Sequence, residues 1–346
     1  MTRLPGETLT LFAELAERLR AAEAARSFAS LAGGFARKQV RGASYWYFKT
    51  SAGPAGQREY FVGPDDAATR ALIEAHGDGR AGSAAEVAQI QRLCAMLRQG
   101  GAQAADAPSA KVISGLANAG VFRLGGVLVG THAFLVLGNL LGVKWRSTLR
   151  TQDVDLAFER VLEIAVPQGE ADLPRALDAL NMGFLPVPGL NAKAAATSFK
   201  VRGQSLRVDL LTPAHGARNG RPVQIARLKA AAQPLEFMDY LLASAVPAPL
   251  IDGGASLVNV PDPARFALHK LALSARRPAH EQPKARKDRD QAAELLEVLF
   301  EDRRGDLRLA LRAFERRGSG WKASLRRGAA AVHGEALAGV KRLLAA

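Results

Sequence analysis

Residues 121–160 read VFRLGGVLVGTHAFLVLGNLLGVKWRSTLRTQDVDLAFER. The stretch predicts a buried strand ending in a tight Gly130-Thr131 turn, a short apolar helix over Ala133–Leu141, and a second strand carrying Asp153 and Asp155 with one residue between them. Alternate strand residues project to the same face, so the two carboxylates stand together. Adjacent anions repel strongly in a partly dry site, and the arrangement is tolerable mainly with divalent cations between them. The pattern therefore asks for Mg²⁺, with Mn²⁺ as its substitute. A third carboxylate, Asp209, lies in SLRVDLLTP (205–213), an apolar strand-like run where a charge is costly unless something binds it.

Ahead of the paired acids, Gly130-Thr131 suits phosphate: amides at a helix N-terminus point outward, and the hydroxyl donates one further hydrogen bond. Gly125-Gly126 is the competing pair. The later pair is preferred because helix-like residues follow it at once, whereas Val127–Val129 read as strand. Arg150 and Thr151 either contact phosphate or orient Asp153, or Arg150 is a surface residue.

A Gly-Thr turn before a helix, a D-x-D on the next strand and a lone Asp on a later strand resemble the nucleotidyltransferase superfamily of the DNA polymerase beta type, over roughly residues 110–215. With FRLGGVLVGTHAF upstream and VPDPARFALHKL downstream, the wider pattern is similar to a bacterial group of predicted nucleotidyltransferases. More distantly it resembles nucleotidyltransferase toxins of the AbiEii type. The resemblance implies transfer of a nucleoside monophosphate from an NTP to an acceptor hydroxyl. Asp153 and Asp155 would hold one Mg²⁺ on the triphosphate, and all three acids would share a second, with Asp209 as local base. It also implies that a lysine on the helix after the core reaches the phosphates; Lys270 matches, and is expected on the side away from Phe266 and Leu273. Lys287-Asp288 matches a K-D element of the toxin-like relatives, and a surface charge cluster explains the same letters.

The bounds agree with an enzyme. The 346 residues suffice for two or three domains, and 48% hydrophobic content fills a core. A formal charge of +14, carried mostly by arginine, favours a polyanionic partner, although arginine excess also accompanies GC-rich genomes. The single cysteine, Cys94, excludes an intramolecular disulfide and suits a reducing compartment. The longest apolar run, Ala133–Val143, is about half a bilayer span, and the Glu-containing N-terminal segment is unlike a signal peptide. A soluble cytoplasmic protein is expected, with no membrane partner. The six histidines are scattered without zinc-ligand spacing, and no nucleophile elbow, dinucleotide fingerprint or Walker loop is present.

The expected architecture is α/β (α+β): a nucleotidyltransferase-type mixed sheet flanked by helices, with an N-terminal helix-plus-hairpin unit and a C-terminal helical domain. The expected divisions are 1–107, 108–245 and 246–346. In the first, Tyr45, Tyr47 and Tyr60 interleave with Trp46, Phe48, Lys38, Arg41, Lys49 and Arg58 around a Gly53–Gly56 turn. Such a face either stacks bases and holds phosphates or packs on neighbouring helices. In the last two, PLEFMDYLLASA (234–245) is expected to be helical and Pro263 to open a helix. The acceptor expected first is RNA, such as a tRNA 3′ end. The rivals are nucleotidylation of a protein or small molecule by a toxin or defence enzyme with an antitoxin partner, and a nucleic-acid binding module without turnover.

Overall fold

The computed structural model describes residues 1–29, 33–40, 42–50, 59–67, 69–70, 73–74, 84–147, 151–159, 171–188, 195–214 and 221–332. Arg41, the Gly53–Gly56 turn, Arg58, His76, His215, His333 and the site candidate Arg150 lie outside them.

The N-terminal part holds β1 (Thr2–Arg3), α1 (Gly6–Ala29), the strands β2 (Gly33–Val40), β3 (Ala43–Thr50) and β4 (Glu59–Pro64), and α2 (Ala84–Gln99). The predicted hairpin is a three-stranded antiparallel sheet in the order β2-β3-β4. Its aromatic residues divide by strand parity. Phe48 is fully buried against Phe35, with ring centroids 5.1 Å apart, whereas Tyr45 and Tyr47 meet Phe61, which is exposed. Of the nearby cations, Lys38 and Lys49 both pair with Glu59, and Arg37 and Arg70 share Asp65.

The middle of the chain contains α3 (Ala107–Asn118), β5 (Val127–Val129), α4 (Gly130–Leu140), β6 (Val143–Lys144), β7 (Asp153–Ala157), α5 (Leu173–Asp178), β8 (Phe184–Pro186), β9 (Ser198–Val201), β10 (Arg207–Pro213), β11 (Val223–Ile225), β12 (Ala230–Leu235) and α6 (Met238–Leu242). Except for β6, which pairs with β1, these strands build one mixed sheet with the path β11-β12-β10-β7-β5; β9 joins β10, and β8 joins β9. The three central strands β7, β10 and β12 run parallel, and β5 is antiparallel to β7. β7 and β10 alternate as a sheet with one dry face requires: Val154, Leu156, Val208 and Leu210 are buried, while Asp155, Arg207, Asp209 and Leu211 face the other way, partly open.

The remainder is the hairpin β13 (Val246–Ile251) and β14 (Ala255–Val260), then α7 (Pro263–Ser274), α8 (Gln282–Asp302), α9 (Arg304–Glu315) and α10 (Ser319–Ala330). The fold is α+β, a mixed sheet with flanking helices. One large apolar core runs from Val112 to Val332, and a smaller one joins Phe12, Leu15, Leu93 and Leu97 to Ile251 of the hairpin. Helix starts follow the sequence closely. Asp106, Asp172 and Asp262 accept hydrogen bonds from the amides of Ser109, Arg175 and Arg265, each with a proline in the first turn.

Val127–Val129 is the strand its residues predict; ahead of it, Leu124, Gly125 and Gly126 donate to the carbonyls of Gly120, Phe122 and Val121 in successive turns. Val121, Phe122 and Leu124 are buried all the same, so their apolar character reported burial and not extension. The helix expected over 234–245 is confined to Met238–Leu242, because Pro234 and Leu235 complete β12 beside Thr212 and Pro213. A left-handed Phe237 (φ 68°) makes the break.

Candidate active site

The sheet brings the acids together by register. In the parallel pair β7/β10, Asp155 lies opposite Asp209 and Asp153 opposite Arg207; in the antiparallel pair β5/β7, Asp155 lies opposite Val129. Asp153, Asp155 and Asp209 therefore share one face, and all three line a cleft of about 700 Å³ together with Gly130, Thr131 and Lys270. A cleft of this volume falls within the ordinary range for small-molecule sites.

Gly130 is required where it stands. Its φ of +67° is left-handed, and a Cβ there would come within 2.2 Å of Asp155 Oδ2. Gly125-Gly126 does not reach the cleft; Gly126 packs against Phe158 and the Val121 carbonyl. Unlike α3, α5 and α7, α4 starts at Gly130 after an N-cap, Val129, that supplies no side-chain hydrogen bond, so no capping side chain occupies the amides of its first turn. His132, one position past the turn, points instead toward Asp106, with Nε2 3.9 Å from Oδ2.

The electrostatics are unbalanced at the acids. Burial, with Asp209 and Asp153 nearby, pushes the Asp155 carboxyl up to about 7, against the pull of Lys270 and Lys287. Burial also raises Asp209, with Asp153 adding to the effect and Arg207 opposing it.

Lys270 is on the cleft wall but not on the side of α7 that was expected. Phe266 is one helical turn earlier, at i−4, so the two share a face, and the ammonium sits 5.3 Å from the centre of the Phe266 ring. Its Nζ donates to Asp288 Oδ1 at 2.6 Å, and Arg277 Nε donates to Asp288 Oδ2 at 2.8 Å. Burial works against the charge on Asp288, but Lys270 and Arg277 outweigh it and hold the carboxyl below the usual range. Lys287 and Asp288, neighbours on α8, both line the cleft. Further along α8, Glu294 accepts from the backbone amides of Arg146 and Ser147 at 2.7 Å, tying the segment before β7 to the same helix.

A family described as nucleotidyltransferase matches residues 107–315, the span that carries the three acids, the Gly-Thr turn and Lys270. The chain belongs to this nucleotidyltransferase family. No curated protein matches. The crystal structure of an antigenic nucleotidyltransferase-like protein from Paracoccidioides brasiliensis aligns at 16% identity over 67% of this chain and 97% of that one. Its TM-score is 0.34.

In this nucleotidyltransferase, several cleft residues gave no sequence signal of their own. Arg207 is placed by the register of β10, and Trp321 arrives from α10, far along the chain. His269 lines the cleft as well, with burial lowering its imidazole to about 4. As to a metal, the acids offer hard oxygen donors, the chemistry that suits Mg²⁺. Among the described residues no three His, Cys, Asp or Glu side chains converge tightly enough to wrap an ion alone. Mg²⁺ is ordinarily held by one or two carboxylates together with substrate phosphates and waters, so an open set of this kind fits an ion that shares its shell with a nucleotide. Among the described residues no helix is long and apolar enough to cross a membrane.

Proposed function

We propose that this nucleotidyltransferase moves a nucleoside monophosphate from an NTP to a hydroxyl of an RNA acceptor, with Mg²⁺ held by Asp153, Asp155 and Asp209. The observation that carries the reading is the in-register meeting of Asp155 and Asp209 on one face of β7/β10, where burial and the neighbouring acids raise Asp155 against the pull of Lys270 and Lys287. A bound divalent cation supplies the missing positive charge and lowers the pKa of the attacking hydroxyl.

The uncapped amides of Gly130 and Thr131 receive the β and γ phosphates. Lys270 makes one bond to Asp288, which leaves donors of its ammonium for the same phosphates. The acceptor oxygen bonds to the α-phosphorus as the bond from that phosphorus to the bridging oxygen breaks. Pyrophosphate departs with the electron pair, and the hydroxyl proton passes to Asp209, which faces the cleft opposite Asp155. The net charge of +14 supports RNA as the acceptor class. The division into 1–107, 108–245 and 246–346 belongs to the same proposal; the smaller core of Phe12, Leu15, Leu93 and Leu97 supports the first boundary alone, since the larger core runs across the second. So does a cytoplasmic setting, supported by a lone buried cysteine whose thiol burial pushes up to about 12.

Incubation with each α-³²P-NTP and total cellular RNA or protein tests the reading. Label on RNA that depends on Mg²⁺, Asp153 and Asp155 supports it. Label on protein alone would move the assignment to the toxin-like relatives, and wild-type rates in the Asp153→Asn, Asp155→Asn double variant would end it.

A further inference from the structure

The cleft has two chemically different halves. Its strands run in the order β5, β7, β10, β12, and the end of β12 lies beyond Asp209 along the strands as well as across them, so it is on the order of 20 Å from the glycine turn after β5. The first half holds the acids, Lys270, Lys284 and Lys287. The second half, beyond Asp209, is lined by Leu211, Leu235, Met238, Leu273, Trp321 and Arg276. Leu211 follows Asp209 at strand spacing on the same face, so the apolar half is continuous with the acids. Leu235 is 39% exposed, and Leu211, Leu273 and Trp321 are half-buried, a large amount of apolar surface to leave beside charged groups.

This half also contains a flat, cationic platform. Trp321 stacks on Phe237 with ring centroids 3.7 Å apart and planes 14° from parallel. The Arg276 guanidinium lies over the same indole, 4.5 Å from its centre, and donates to Glu236 at 3.1 Å. A guanidinium lying over an indole offers a surface on which a base can stack, beside a positive charge for its phosphate.

In-line displacement decides which substrate belongs here. The attacking and leaving oxygens stand on opposite sides of the transferring phosphorus. With pyrophosphate leaving toward Gly130 and Thr131, the attacking hydroxyl comes from the β10/β12 side. We infer that the apolar half of the cleft binds the 3′-terminal nucleoside of the RNA acceptor, its base stacked on the Arg276–Trp321 platform and its hydroxyl turned toward Asp209. The orientation rests on the nucleotidyl-transfer reading; the platform does not.

The test measures binding and turnover separately on the full chain. A fluorescently labelled RNA oligonucleotide with a free 3′ end is titrated without NTP against wild type and the Arg276→Ala, Arg276→Lys, Leu235→Glu and Trp321→Phe variants. Arg276 and Leu235 are exposed enough for these changes to leave the fold intact. Arg276→Ala and Leu235→Glu are expected to weaken binding about tenfold, the size of one lost base stack. Arg276→Lys should not rescue, because it restores charge without a plane, whereas Trp321→Phe, which keeps a smaller ring under the guanidinium, should weaken binding less than Arg276→Ala does. A circular RNA of the same sequence should bind more weakly than the linear one. In turnover, Leu235→Glu should raise the KM for RNA and leave the KM for NTP unchanged. Wild-type binding by both Arg276→Ala and Leu235→Glu, or full rescue by Arg276→Lys, would overturn the inference, as would a raised KM for NTP alone, which would give the pocket to the donor base. If no acceptor is ever labelled yet the binding pattern holds, the transfer reading fails and the platform stands.

Discussion

Two aspartates in this protein, Asp155 partly open to the cleft and Asp288 fully buried, respond in opposite directions. Asp155, on β7, faces Asp209 and Asp153 and holds its proton up to about pH 7. Asp288, on α8, has 3% of its side chain exposed, yet receives hydrogen bonds from Lys270 and Arg277 and ionises more readily than usual. Desolvation raises both; the partners decide the outcome. The difference separates a carboxylate whose partners are built into the fold from one whose partner must come from outside. Asp288 fixes cations in place, whereas Asp155 gains one with substrate only under the proposed function.

The comparison breaks most visibly in catalysis. Asp155→Asn or Asp153→Asn should lower turnover on the order of 10³-fold or more while the circular dichroism spectrum is unchanged; normal turnover in either would make the acids bystanders. On stability the two aspartates should give opposite signs. Asp288→Ala leaves Lys270 and Arg277 without their shared counter-ion and should cost about 3–5 kcal/mol in urea unfolding, and a neutral result would show that the pair is dispensable. Asp155→Asn should stabilise the metal-free protein at pH 8 by on the order of 5 °C. The sign follows from linkage. The folded pKa of about 7 lies above the unfolded value near 4, so this group favours folding fully below about pH 4, and that contribution is lost as pH rises through 7. Melting curves from pH 4 to 8 should therefore slope downward for wild type more than for Asp155→Asn, and equal slopes would refute the shift. The smallest effect belongs to an exposed pairing: Arg3, bonded to Glu301 and Asp302 at the surface, should cost less than about 1 kcal/mol when changed to Ala.

What the sequence displayed of this arrangement follows from the range of each signal. The D-x-D, the Gly-Thr turn and the capping aspartates are local patterns, and the chain folds around them as local rules suggest. The α+β class followed from the alternation of helix and strand patterns. Register between β7 and β10 is set by about fifty intervening residues, so the pairing of Asp155 with Asp209, and the arrival of Arg207 opposite Asp153, had no local mark. Lys270 was placed on the wrong side of its helix, although its four-residue spacing from Phe266 carried the answer. Trp321 and Arg276 meet only because α10 packs on α7, and nothing in either segment announces the other. Residues 234–235 depart from the expected helix for another reason: apolar content reports that a segment is buried, and leaves its backbone conformation to proline and the strands beside it.

The pairing of β7 with β10 has an evolutionary implication. Side chains in a strand change sides at every step, so inserting or deleting one residue between Arg207 and Asp209 would turn Asp209 into the sheet's dry side and bring an apolar neighbour to the cleft. Length changes within this strand are therefore barred in single steps, whereas the connections between strands are free to drift. Lineages descended from this fold should differ in their loops and keep the parity of these two strands.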